Sequence, residues 1–218
     1  MIEPANARAF LLRCEDEMVA RLKTEIRTRR VTAERLFLYG VAKRTLAQAE
    51  GFRAMEDARN ATVAASLVRL QLDSLLRLYA LWWVEDSDRF GQDVLGGAQI
   101  NKLKAANGAV MTDAWLYRRL ATEIGWIETV YRESSGFVHF SGRHILAVMQ
   151  PRNDDEEESA GIVLNLDPSD RDRPPNYFNQ LAASFTDVTL RIALALNERF
   201  DDLAADPERG TVIAEVSG

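Results

Sequence analysis

The sequence predicts a mainly α-helical fold: a helical bundle with a small β-hairpin inserted before the C-terminal helix. Three observations lead there. Apolar residues recur at three- and four-residue steps through most of the chain, the spacing that lines one face of an α-helix. The β-prone runs ILAVMQ and GIVLNL are short and flank one acid-rich stretch, PRNDDEEESA, so they fit a single hairpin with an acidic tip. At 218 residues, with 47% hydrophobic and 28% charged side chains, the chain can bury a core without disulfides or metal. One helical domain is expected over residues 1–206, with the hairpin at about 144–167, and residues 207–218 read as a flexible tail.

Residues 5–29 carry Leu11, Met18, Leu22 and Ile26 near one stripe, closed by Arg27, Arg29 and Arg30, whose charge suits a helix C-terminus. Thr32 can cap a second helix, with Val31 and Leu36 as a hydrophobic staple across the cap. That helix runs through Leu38, Val41 and Leu46 towards Met55. A third, residues 61–84, is apolar over more than one face and is expected at the centre. Its polar stripe, Arg69, Asp73 and Arg77, has the four-residue spacing of an ion-pair ladder, or of a carboxylate beside a functional groove. Residues 86–112 read as a connection containing Gly91, Gly96, Gly97, a short helix near 100–106 and a stop at Asn107-Gly108. Thr112 can cap a fourth helix, with Trp115, Leu116, Leu120, Ile127 and Val130 near one face and Gly125 interrupting the pattern. The last helix, 176–204, has the longest stripe: Phe178, Leu181, Phe185, Val188, Ile192, Leu196, Phe200 and Leu203. Such a stripe either packs on the core or pairs with a second subunit.

The net charge of −6 argues against coating nucleic acid non-specifically, which needs excess positive charge facing phosphates, yet it allows a local basic site. Cys14 is the only cysteine, so an internal disulfide and a cysteine-based zinc site are excluded, and its apolar surroundings suggest a buried, inert thiol. The N-terminal residues lack a signal-peptide pattern, and no apolar run approaches the roughly 20 residues that span a bilayer. A cytoplasmic location without membrane attachment is therefore expected. Nucleotide-binding glycine loops and a nucleophile elbow are absent from the sequence, and no cofactor is expected. His139 and His144 stand five residues apart, on different faces of a regular helix, so no metal site is expected either. Trp82, Trp83, Trp115 and Trp126 have core spacing and suit packing better than base stacking.

Chemistry concentrates in residues 131–144, YRESSGFVHFSGRH, which hold both histidines beside Arg132 and Arg143. Imidazole is the usual acid–base group near neutral pH, and a guanidinium matches the oxygens of a phosphodiester. Together they are the minimum equipment for metal-independent RNA cleavage, with His deprotonating the 2′-hydroxyl and Arg stabilising charge on phosphorus. A structural role is the alternative: His139 donating to a backbone carbonyl while Arg132 pairs with Glu128, Glu133 or Asp73.

Arg132 and His139, six residues between them at a helical junction, resemble the R-x(4–6)-H motif of the HEPN superfamily. Tyr131, Ser135, Val138, His139 and Ser141 are similar to a Y-x(3)-S-x(2)-[VI]-H-x-S segment of HEPN-like bacterial families. HEPN proteins are all-α, occur in prokaryotic toxin–antitoxin, abortive-infection and CRISPR systems, and many are dimeric RNases. The resemblance implies a helical bundle, a site at a homodimer interface, RNA as substrate and catalytic roles for Arg132 and His139. Ser135, Asp73, Arg143 and Tyr131 would support them, and a toxin–antitoxin setting would add a protein regulator. Catalytic members commonly carry Asn, Asp or His after the arginine, where this chain has Glu133. The likeness covers the motif and, loosely, the flanking helices 61–84 and 115–132. Two functions are therefore carried forward: a metal-independent endoribonuclease, or a non-catalytic helical protein for dimerisation or partner binding. The first requires Arg132 and His139 to face solvent, in a shared positively lined groove; the second suits a buried, mutually satisfied pair.

Overall fold

The computed structural model describes residues 2–28, 30–139, 141–150, 163–171 and 173–215, and it is mainly α-helical with one small hairpin before the C-terminal helix, as the periodicity predicts. Helix α1 (Ala7–Glu25) passes into a 3-10 turn and a short strand, β1 (Arg30–Thr32). Helix α2 (Ala33–Asp57) begins where the capping signal places it. The Thr32 hydroxyl accepts from the Arg35 amide at 3.3 Å, and the Asp88 carboxylate accepts from the Glu34 amide at 3.2 Å. Two of the amides that a helix start leaves without intrahelical partners are thereby satisfied. Helix α3 (Ala61–Tyr79) is capped by Asn60 and tightens into a 3-10 turn over Ala80–Trp82.

Residues 86–112 hold more structure than their glycines suggest. Asp86 caps α4 (Ser87–Leu95). Gly91, a loop signal in the sequence, is instead a contact residue. A Cβ there would lie 2.7 Å from the carbonyl carbon and oxygen of Ala33, so only glycine lets α4 cross the first turn of α2. The expected helix near 100–106 shrinks to a 3-10 turn, Ile100–Lys102. A Lys104–Val110 bridge then encloses the Asn107-Gly108 turn, where Gly108 has φ +80°.

The predicted fourth helix is two, α5 (Asp113–Ala121) and α6 (Ile127–Val138), parted over residues 122–126 where the Thr122 hydroxyl bonds back to the Arg119 carbonyl and Gly125 follows. The run ILAVMQ is likewise divided: its first residues belong to α7 (Gly142–Ala147), and only β2 (Met149–Gln150) pairs with β3 (Val163–Leu164). The acidic tip of the hairpin lies outside the described residues. Helix α8 (Pro175–Ala205) follows, and beyond it the segment expected to fray runs back as β4 (Val212–Glu215), antiparallel to β1.

The long apolar stripe of α8 packs on the core. Phe178, Phe185, Val188, Ile192, Leu196, Phe200 and Leu203 are buried against α1, α2 and α3. Phe185 stacks on Phe52 at 4.2 Å. Each such side chain contributes about 1.5–3 kcal/mol of transfer free energy. Between α3 and α8 the Gln71 amide donates to the Thr189 hydroxyl at 2.8 Å, fixing the register of an otherwise oily contact. A second polar cluster ties both ends of the chain together. Buried Glu34 pairs with buried Arg199, accepts from Ser87 Oγ at 2.6 Å and lies 3.5 Å from Arg209. Arg35 pairs with Glu25 at 2.7 Å, and the Thr211 amide donates to Asp88 at 3.0 Å. These bonds, with the β1–β4 pairing, hold residues 209–215 against the start of α2.

Candidate functional site

The segment singled out by sequence is the C-terminal end of α6 and the turn into α7. A helix end leaves its last carbonyls without partners, and serines supply them here. Ser66 of α3 donates to the Phe137 carbonyl at 2.8 Å, and Ser141 donates to the Gly136 carbonyl at 2.7 Å. His139 follows α6 in extended backbone, φ −110° and ψ 143°. The junction is thus fixed by serine hydroxyls rather than by the Arg–His pair.

Arg132 and His139 are both exposed, and neither side chain forms an ion pair or hydrogen bond with the described residues. Arg132 lies about two turns from the end of α6, and His139 is the residue that follows that end. None of the pairings of a structural arginine (to Glu128, Glu133 or Asp73) is formed by Arg132. Neither residue lines any of the four best-formed clefts.

The supporting residues divide. Tyr131 is packed, with its ring stacked on Tyr117 at 4.2 Å and the Arg69 guanidinium 4.3 Å above it, so Arg69 turns to Tyr131 while Asp73 pairs with Arg77 at 3.2 Å. Ser135 is half-buried and donates to the Tyr131 carbonyl at 2.5 Å, which commits its hydroxyl to the helix. Asp73 belongs to a different site, a cleft between α2, α3 and α4 that contains neither Arg132 nor His139. Arg143 is the second residue of α7, and its side chain is outside what is described. His144 Nδ1 accepts from the Ser141 amide at 3.2 Å, so this histidine is oriented by its own turn.

Two features near the site have no single-residue signal in the sequence. One is a rim of exposed apolar side chains on α6, α7 and the hairpin: Val138, Ile145, Leu146, Met149, Leu164 and Leu166. The other is a cleft of about 410 Å³ on the opposite face of α6, between α3 and α8, walled by Val68, Trp126, Val130, Phe137 and Leu181 with Glu133 and Gln180 beside them. Helical spacing reports which residues share a face, and it is silent on whether a neighbouring helix closes over that face. The remaining tryptophans pack as expected: Trp83 meets Trp115 edge-on at 5.4 Å, and Trp82 lies under Arg199.

Burial raises the pKa of the Cys14 thiol, in keeping with an inert side chain. Among the described residues no group of three or more His, Cys, Asp or Glu side chains could hold a metal ion, and no helix is long and apolar enough to cross a membrane. Compared with protein-family models, curated proteins and solved structures, the chain gives no match.

Proposed function

We propose that the chain is a HEPN-like helical protein that cleaves RNA without metal, as a homodimer, with Arg132 and His139 as the reacting groups. The observation that supports this most is the exposure of both side chains, uncommitted to described neighbours, at the C-terminal end of α6. A pair recruited to brace the junction would be buried and satisfied. In the proposed reaction Arg132 holds a non-bridging phosphate oxygen, and His139 takes the 2′-hydroxyl proton as that oxygen attacks phosphorus. The bond to the 5′-oxygen breaks, that oxygen takes a proton from solvent, and the products are a 2′,3′-cyclic phosphate and a 5′-hydroxyl. Ser135 and Tyr131 support the site by fixing the helix that carries it. The exposed apolar rim beside His139 suits the second copy, whose approach would complete a groove. A toxin's role in a prokaryotic defence module, held in check by a protein regulator, belongs to the same reading.

The test is RNA cleavage in EDTA by the wild type, Arg132→Ala and His139→Ala. The expected result is discrete cleavage by the wild type and a loss of roughly a hundredfold or more in each variant, with folding unchanged. A His139→Ala chain that cuts as fast as the wild type would contradict the assignment.

A non-catalytic partner-binding protein is the second reading, and the apolar cleft on the opposite face of α6 favours it. An inert wild type that forms a stable complex through that face would support this reading instead.

A further inference from the structure

Away from the end of α6, a cleft of about 440 Å³ opens between α2, α3 and α4. That volume is within the range of small-molecule sites. Phe37, Val41, Val94, Leu95 and Ile100 form its apolar walls. Gly40 lies on the lining, in the interior of α2, where glycine is an unfavourable choice for a helix. No close packing demands it, because a Cβ at Gly40 would meet nothing within 4 Å. Its missing side chain keeps the cleft open.

One turn further along the same face stands Arg44. Its Nε donates to Ser74 Oγ at 3.0 Å, and that hydroxyl lies 3.3 Å from Gln48 Oε1, so the guanidinium is held in place from behind. Its outer nitrogens are the part left for a ligand. The nearest carboxylate oxygen, on Asp73, is 3.9 Å away, beyond hydrogen-bond length. Asp73 instead engages Arg77 at 3.2 Å, and Asp113 engages Arg77 as well. Two carboxylates thus hold Arg77 closely, while Arg44 has only the longer ion pair to Asp73 and keeps a half-exposed fork at the end of an apolar trough. A planar guanidinium fork matches a carboxylate through two parallel hydrogen bonds. A cationic ligand would meet two arginines, and a wholly apolar one would cover Arg44 without giving it an acceptor.

We infer that this cleft binds a small carboxylate with an apolar body, its head on Arg44 and its body over Gly40 against Phe37, Val94 and Ile100. The site shares no residue with Arg132 and His139, so it stands or falls independently of RNA cleavage.

Titration calorimetry of the full chain with octanoate, octylammonium and 1-octanol tests it. Octanoate is expected to bind saturably and at least about tenfold more tightly than either analogue, in proportion to a charge-assisted hydrogen-bonded head. Arg44→Gln should weaken octanoate to the level of octanol. Gly40→Leu should fill the trough and abolish binding while the chain stays folded, since leucine is the better helix former and a Cβ at this position meets nothing within 4 Å. Absence of saturable octanoate binding, equal binding of octylammonium, or wild-type binding by Gly40→Leu would each overturn the proposal. Arg44→Gln keeps the test decisive should Gly40→Leu prove unstable.

Discussion

At the residue scale, the Tyr131–His144 segment separates side chains that hold the structure from exposed side chains without described partners. Ser66 and Ser141 satisfy the last carbonyls of α6, and Ser135 bonds within the helix. Ser141→Ala should therefore cost about 1 kcal/mol of stability in denaturant titration, the ordinary net value of a hydrogen bond. Arg132→Ala and His139→Ala remove exposed groups without described partners, so each should change stability by less than about 0.5 kcal/mol. A destabilisation of several kcal/mol by both would instead mark the pair as structural. The residue types at this site were legible in the sequence, and so was their position at a helical junction. The place of Asp73 was not. Four-residue spacing puts Asp73 beside Arg69 and Arg77 on α3, but which neighbour faces them is a tertiary fact. Arg69 meets Tyr131, while Arg77 draws Asp73 and Asp113 to the far cleft.

At the scale of elements, helices with long apolar stripes were readable, and short ones were not. The Thr32 cap and the α8 stripe follow directly from residue pattern. Helix α4 is nine residues long and owes its position to Gly91, a residue that in isolation signals a loop. Gly91→Ala would drive a methyl against the Ala33 carbonyl, where backbone cannot yield as a side chain can. It should destabilise by about 1–3 kcal/mol, the usual cost of overpacking, seen as a lower denaturant midpoint. The Glu34–Arg199 pair joins α2 to α8 in the interior. Glu34→Ala leaves buried Arg199 with only the half-exposed Asp202 carboxylate, 3.5 Å away, takes the carboxylate partner from Arg209, and should cost about 3–5 kcal/mol, as breaking one side of a buried pair generally does. The same cluster explains how residues 209–215 are held against the start of α2. Hydrophobic pattern does not register Arg209 or Thr211, whose partners Glu34, Ser87 and Asp88 lie more than a hundred residues earlier.

At the scale of the whole molecule, α8 supplies the spine, α3 packs along it, and α6 rests on α3 with two unlike faces. One face closes an apolar cleft with α8, while Arg132, and His139 just beyond the helix, are exposed. The most direct test of the central claim uses the wild-type chain in EDTA, with one RNA oligonucleotide and its twin lacking the 2′-hydroxyl at the cut position. The ribose strand is expected to be cut to a 2′,3′-cyclic phosphate while the twin stays intact at that position. Cleavage of the twin at the same position, or no cleavage of the ribose strand that the chain binds, would contradict it.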